Sequence, residues 1–319
     1  YVFHLRDDVL WSDGRPVTAW DFEYALKREL DPARIWGPDQ LYYLKGARAY
    51  HRGEVDDPDH VGVHCPDPRT LVAELEYPAP HVLQDLATSR PVPRHVVEAH
   101  GPDWADPDNI VTSGPFRLES WRPGEGLVLE RNPEYHGRRS GNVERVELCF
   151  VGGWSKVVEL YEADRIDGVM MERWTVEDSE LDRMRRRHAD QYVTAPAPIC
   201  HFMAFDVYRP PFDDARVRQA LVLASDRETM ADVVWRGNFF PATGGLVPPG
   251  QPGHSPGIAL PHDPERAREL MAEAGYADGD GFPAVEARTH RQLGALCDYL
   301  RDQWRQNLGV DISWHTMLT

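Results

Sequence analysis

The chain has 319 residues, enough for two or more domains with sizeable cores, and 41% of it is hydrophobic. Its 35 Lys and Arg against 52 Asp and Glu give a formal charge of −17, which argues against the basic face that non-specific nucleic-acid binding requires. Its uninterrupted apolar runs, such as Ala220–Ala224, fall far short of the ~18 residues that span a membrane.

Tyr1 already lies in an alternating pattern. Phe3, Leu5, Val9 and Trp11 interleave with His4, Arg6, Asp7 and Asp8, which predicts strand. Ser12-Asp13-Gly14 is a turn, and Thr18 followed three residues later by Asp21 predicts a capping box. The helix so begun carries Phe22, Ala25 and Leu26 and ends at Asp31-Pro32. Trp11 belongs in a core, as large aromatics mostly do, and Tyr42 and Tyr43 are expected to pack. His60, His64 and Cys65 share a Pro- and Asp-rich loop without a fourth ligand, so no metal site is expected there.

Leu71–Glu76 alternates as a strand, and His81–Ala87 reads as a helix bracketed by prolines. Between Ser113 and Asn132 the pattern is a hairpin. Phe116 and Leu118 face one way, Arg117 and Glu119 the other, Pro123-Gly124 turns, and Asn132-Pro133 stops the return strand. Val146–Phe150 and Ile166–Val169 read as strands, Val157–Ala163 as a helix, and Glu177–His188 as a surface helix too polar for a core. Ile199–Phe205 is apolar and strand-like.

Asp213 or Asp214 caps the next helix, whose Val217, Ala220, Leu221 and Ala224 recur at helical spacing. Another begins at Asp226-Arg227, reaches Trp235 and ends at Gly237. Asp263, Pro264 and Gly275 mark a complete helix start and stop. A longer helix over about 292–308 carries Leu296, Leu300 and Trp304, and Val310–Trp314 starts a strand. The four cysteines, Cys65, Cys149, Cys200 and Cys297, have no CxxC spacing and read as separate, mostly buried thiols. There is no GxSxG, phosphate loop, GxGxxG or HExxH, so no catalytic residue, metal or cofactor is predicted.

Four stretches in this order carry a resemblance: 1–31 with its WSDG motif, 109–135 (GPF…W…LxRNPxY), 210–227 (PPFDDARVRQALVLASDR) and 263–276 (DPERARELMAEAGY). Together the chain resembles the family 5 extracellular solute-binding proteins, the oligopeptide, dipeptide and nickel receptors of ABC importers. The resemblance implies an α/β fold of the type II periplasmic-binding-protein class, multi-lobed with a hinge. It places a smaller mixed lobe at 1–93, part of the main lobe at 94–199 and the N-terminal part of a third lobe at 200–319. It also implies an incomplete copy, truncated at both ends, with Cys200 open to pairing with a cysteine beyond the C-terminus.

Further implications concern the site. Residues 199–205 would cross between lobes and line the cleft, making Cys200, His201, Phe202 and Met203 the first candidates for ligand contact, His201 through a peptide carboxylate or carbonyl. Trp36 would add to it from the smaller lobe, and Arg90 would meet a ligand carboxylate in a forked pair. The implied function is binding of a short peptide or other small solute by hinge closure, with an ABC permease as partner, in the periplasm or outside the cell, with or without a lipid anchor. The stretches at 136–142 and 252–257 instead resemble ligand-sensing modules fused to intracellular regulators or kinases, which would place the chain in the cytoplasm. A hydrolase is the third reading and has no motif behind it.

Overall fold

The computed structural model describes residues 1–34, 38–138, 141–170, 176, 178–195, 199–290 and 293–317. The chain forms two compact units, 1–169 and 170–319, each with a buried core of its own.

The first unit opens with β1 (Val2–His4), α1 (Ala19–Glu29) and α2 (Ala47–His51), followed by β2 (Val63–Asp67) and β3 (Thr70–Ala73). The three strands form an antiparallel sheet in the order β1-β3-β2. α1 starts where the sequence predicts. The Thr18 N–H donates to Asp21 Oδ2 at 2.8 Å, and the Thr18 hydroxyl donates to the same oxygen. Asp21 is buried, and its other oxygen accepts the Arg94 N–H, so one carboxylate holds two helix starts. Leu26, Leu30, Leu41, Leu44, Val63 and Val82 build the core beside α1, with Tyr43 buried and Tyr42 packed against it. Trp11 is buried as expected.

Next come α3 (Val82–Thr88), α4 (Arg94–His100), β4 (Phe116–Arg122), β5 (Gly126–Arg131), β6 (Arg145–Cys149) and α5 (Trp154–Glu162). The second sheet is antiparallel, β4-β5-β6. Its hairpin closes through Pro123-Gly124-Glu125, with Gly124 at φ 81°, a conformation open to glycine. Phe116, Leu118, Leu127 and Leu129 share one face, and Arg117 pairs with Glu130 at 2.7 Å on the other. A register shift between Leu118 and Ser120 then brings Trp121 onto the apolar face. Asn132, fully buried, fastens the hairpin: its Nδ2 donates to the Gly114 carbonyl at 2.8 Å and its Oδ1 accepts the Glu134 N–H at 3.0 Å.

The second unit holds α6 (Asp178–Arg187), α7 (Ala215–Leu223), α8 (Arg227–Val233), α9 (Pro264–Glu273), β7 (Val285–His290), α10 (Gly294–Leu308) and β8 (Ile312–Met317). β7 and β8 pair in parallel with α10 as their crossover, the arrangement parallel neighbours require. Asp214 caps α7, accepting the Arg216 N–H at 2.8 Å, and Asp263 caps α9 in the same way. Gly309, at φ 70°, ends α10. The core joins Val217, Ala220 and Leu221 of α7 to Met271 of α9 and to Trp304 and Leu308 of α10. The Trp304 indole N–H donates to the Leu221 carbonyl and the Ser225 hydroxyl, both at 3.0 Å, and Asn307 Nδ2 donates to the Ala224 carbonyl at 2.9 Å. The Leu221 carbonyl also accepts the Ser225 hydroxyl at 2.7 Å, so α10 adds a second donor to the end of α7.

Several expectations are corrected. Ile166–Val169 and Ile199–Phe205 form no strand, because neither finds a partner to pair with among the described residues. The strand expected over Leu71–Glu76 stops at Ala73, and Leu75 makes only an isolated bridge to Leu44. The alternation of Val9 and Trp11 likewise leaves only a bridge from Leu10 to Pro16. His64 and Cys65, expected in a loop, lie within β2. α6 is not wholly a surface helix, since Leu181 and Met184 are buried despite their seven charged neighbours in DSELDRMRRR. Among the described residues, no helix is long and apolar enough to cross a membrane.

Candidate ligand-binding site

The segment 199–205 runs as irregular chain into a turn at Arg209–Phe212, where the Phe212 N–H donates to the Arg209 carbonyl. Its side chains divide. Met203 and Phe205 pack against the core of the second unit, and Phe205 meets the Phe212 ring at 5.1 Å. His201 and Phe202 are exposed, Phe202 to 75%, so Phe202 does not serve as a buried core residue. Cys200 is half-buried with a free thiol, and its Sγ lies 3.8 Å from the His201 carbonyl oxygen.

His201 does not stand alone. Its ring stacks on Trp235 with centroids 6.1 Å apart and planes 15° from parallel, and it tilts against Phe239 at 5.4 Å. Trp235 and Phe239 meet each other at 4.5 Å. Partial desolvation lowers the His201 pKa from its ordinary value and favours the neutral imidazole. A neutral histidine is better matched to a carbonyl or N–H than to a carboxylate.

The turn carrying Trp235 and Phe239 follows α8 and is braced from α6. Arg185 donates to Asn238 Oδ1, Arg236 pairs with Asp182 at 3.1 Å, and Asn238 Nδ2 donates to the Trp235 carbonyl at 2.9 Å. The sequence reading took Trp235 only as the last residue of a helix and passed over Phe239. The helix ends at Val233, and the four-residue spacing of the two aromatics was the available signal.

The remaining candidates sit apart in the sequence. Arg90 is exposed in the loop between α3 and α4 of the first unit. Trp36 lies outside the described residues. An open hollow of about 370 Å³ beside Pro210, Pro211, Asp213 and Tyr276 also touches Asp214, but that carboxylate is already engaged by Arg216 and the α7 N-terminus. Among the described residues, no cluster of three His, Cys, Asp or Glu side chains is arranged for a metal ion. Near His60 and His64, burial pushes the Cys65 thiol up to about 12, far from the thiolate a metal ligand needs.

The sequence profile of the bacterial extracellular solute-binding proteins, family 5 Middle, matches residues 1–319. The chain belongs to this family. Among relatives of this solute-binding family, the periplasmic oligopeptide-binding protein OppA of Escherichia coli (strain K12) is 30% identical over 339 residues, covering 100% of this chain and 61% of the relative. The oligopeptide-binding protein OppA of Bacillus subtilis (strain 168) is 28% identical, covering 98% of this chain and 59% of its own length. Among solved structures, a periplasmic oligopeptide-binding protein of Borrelia burgdorferi has a TM-score of 0.71 at 28% identity, covering 99% of this chain and 63% of that one. The murein tripeptide binding protein MppA of Escherichia coli has a TM-score of 0.72 at 27% identity, with the same coverage. The chain thus spans about three fifths of the length of the relatives it matches and has, over that share, the mixed α/β fold of periplasmic oligopeptide-binding proteins.

Proposed function

We propose that this chain is the greater part of an extracytoplasmic solute receptor that takes up a short peptide by hinge closure and delivers it to an ABC permease. The observation that carries this is the match of the solute-binding family along the whole chain, joined to two relatives named for oligopeptide binding that align with nearly all of it. The relatives are solute-binding proteins and not enzymes, which supports a binder without catalysis. Within that function, 1–93 is read as the smaller lobe, 94–199 as part of the main lobe and 200–319 as part of the third.

Ligand contact is assigned to Cys200, His201, Phe202 and Met203, with Trp36 and Arg90 from the earlier part of the chain. Exposure of His201 and Phe202 supports the first of these, and the inward packing of Met203 makes it a support for the segment. Calorimetry of the full-length protein with a mixed library of three- to five-residue peptides tests the function. Saturable binding is expected, and Phe202→Ala weakens it more than Trp154→Ala. Absence of binding to any peptide in the library rejects a peptide receptor.

A further inference from the structure

Outside the buried core of the second unit stands an aromatic cluster that core packing does not explain. His201, Trp235 and Phe239 touch one another pairwise, yet His201 is exposed and the other two are only half-buried. Two further aromatics flank it in the sequence, Phe202 and Phe240, the latter 71% exposed. Aromatic surface left facing water is a standing cost that association with another apolar group relieves.

The cluster is also braced. Arg185 and Arg236 border the turn, and both are engaged, Arg185 with Asn238 and over the Tyr192 ring at 5.5 Å, Arg236 with Asp182. Partial desolvation keeps His201 toward its neutral form. A braced aromatic surface favours a flat guest, and its preorganisation spares the guest an ordering cost.

From this geometry we propose that His201, Trp235 and Phe239 form a stacking platform that receives an aromatic side chain of the bound peptide. Separated by 6.1 Å, the His201 and Trp235 rings leave no room for a third between them, since that needs two van der Waals spacings of ~3.5 Å each. The guest therefore lies on an outer face of the cluster, offset or edge-on as aromatic pairs prefer. This inference rests on the peptide-binding function proposed above and assigns it a specificity.

The test is calorimetry of the full-length protein with all-Ala tripeptide and with tripeptides carrying Phe or Glu at each position in turn. At one position Phe is expected to bind about tenfold tighter than Ala, the upper range of an aromatic pair, and Glu no tighter than Ala. Trp235→Leu abolishes that preference, so that the Phe and Ala tripeptides bind within about twofold of each other. Phe239→Leu does the same and serves if Trp235→Leu fails to fold. Equal affinity for Phe and Ala at every position overturns the platform and leaves the receptor function standing, as does a preference that survives in both folded variants. Failure of every tripeptide to bind overturns the peptide function and the platform with it.

Discussion

The cysteines show how position sets the chemistry of one residue type. Cys149 ends β6 exposed, Cys297 is buried, and Cys65 and Cys200 are half-buried. Burial, with Glu23 as hydrogen-bond partner, pushes Cys65 up to about 12, so at about pH 8 its thiolate fraction is on the order of one in ten thousand. Cys297 is raised by burial as well. A thiol reagent is therefore expected to modify Cys149 first and to leave Cys65 and Cys297 untouched until denaturant is added. Cys200 reacts at an intermediate rate, and peptide bound at residues 200–203 slows it while Cys149 is unaffected. Peptide mapping of the labelled protein by mass spectrometry reads all four sites at once. An unchanged Cys200 rate at saturating peptide counts against its place in the site.

At the scale of elements, the second sheet depends on a side chain that the sequence marks only as a stop. Asn132, fully buried, holds the end of β5 to the chain entering β4 through one side-chain hydrogen bond, to the Gly114 carbonyl, and fixes the turn beyond β5 through another, from the Glu134 N–H. Asn132→Ala leaves a carbonyl and an N–H without those partners and is expected to cost about 1–3 kcal/mol, read from the urea midpoint at an unchanged slope. A shift within error assigns Asn132 to the chain stop alone. Elements with their own end signals were legible before the structure: α1 from Thr18 and Asp21, α9 from Asp263, Pro264 and Gly275, the hairpin from Pro123-Gly124. Those that depend on a distant partner were not. An apolar run such as 199–205 has strand composition, but a strand exists only with a neighbour, and none runs beside it among the described residues. Two of its side chains, His201 and Phe202, are exposed. The rest of the cluster was missed because Trp235 and Phe239 meet His201 only through tertiary folding.

For the molecule as a whole, two separate cores predict separate responses to a protease. Met170 is 85% exposed at the junction of the units, whereas the α1 and α7 regions lie against buried clusters. Limited proteolysis is expected to cut first near 169–170 and release two fragments that resist further digestion. First cuts near 93 or 199 instead favour the three-lobe boundaries as the cooperative ones.

The bond from Trp304 to the Leu221 carbonyl spans 83 residues. During synthesis at about 5–20 residues per second, the end of α7 leaves the ribosome roughly 4–17 s before the indole that completes it. For that interval the Leu221 carbonyl has only the Ser225 hydroxyl and water to serve it, and a chain that terminates before Trp304 never gains the indole.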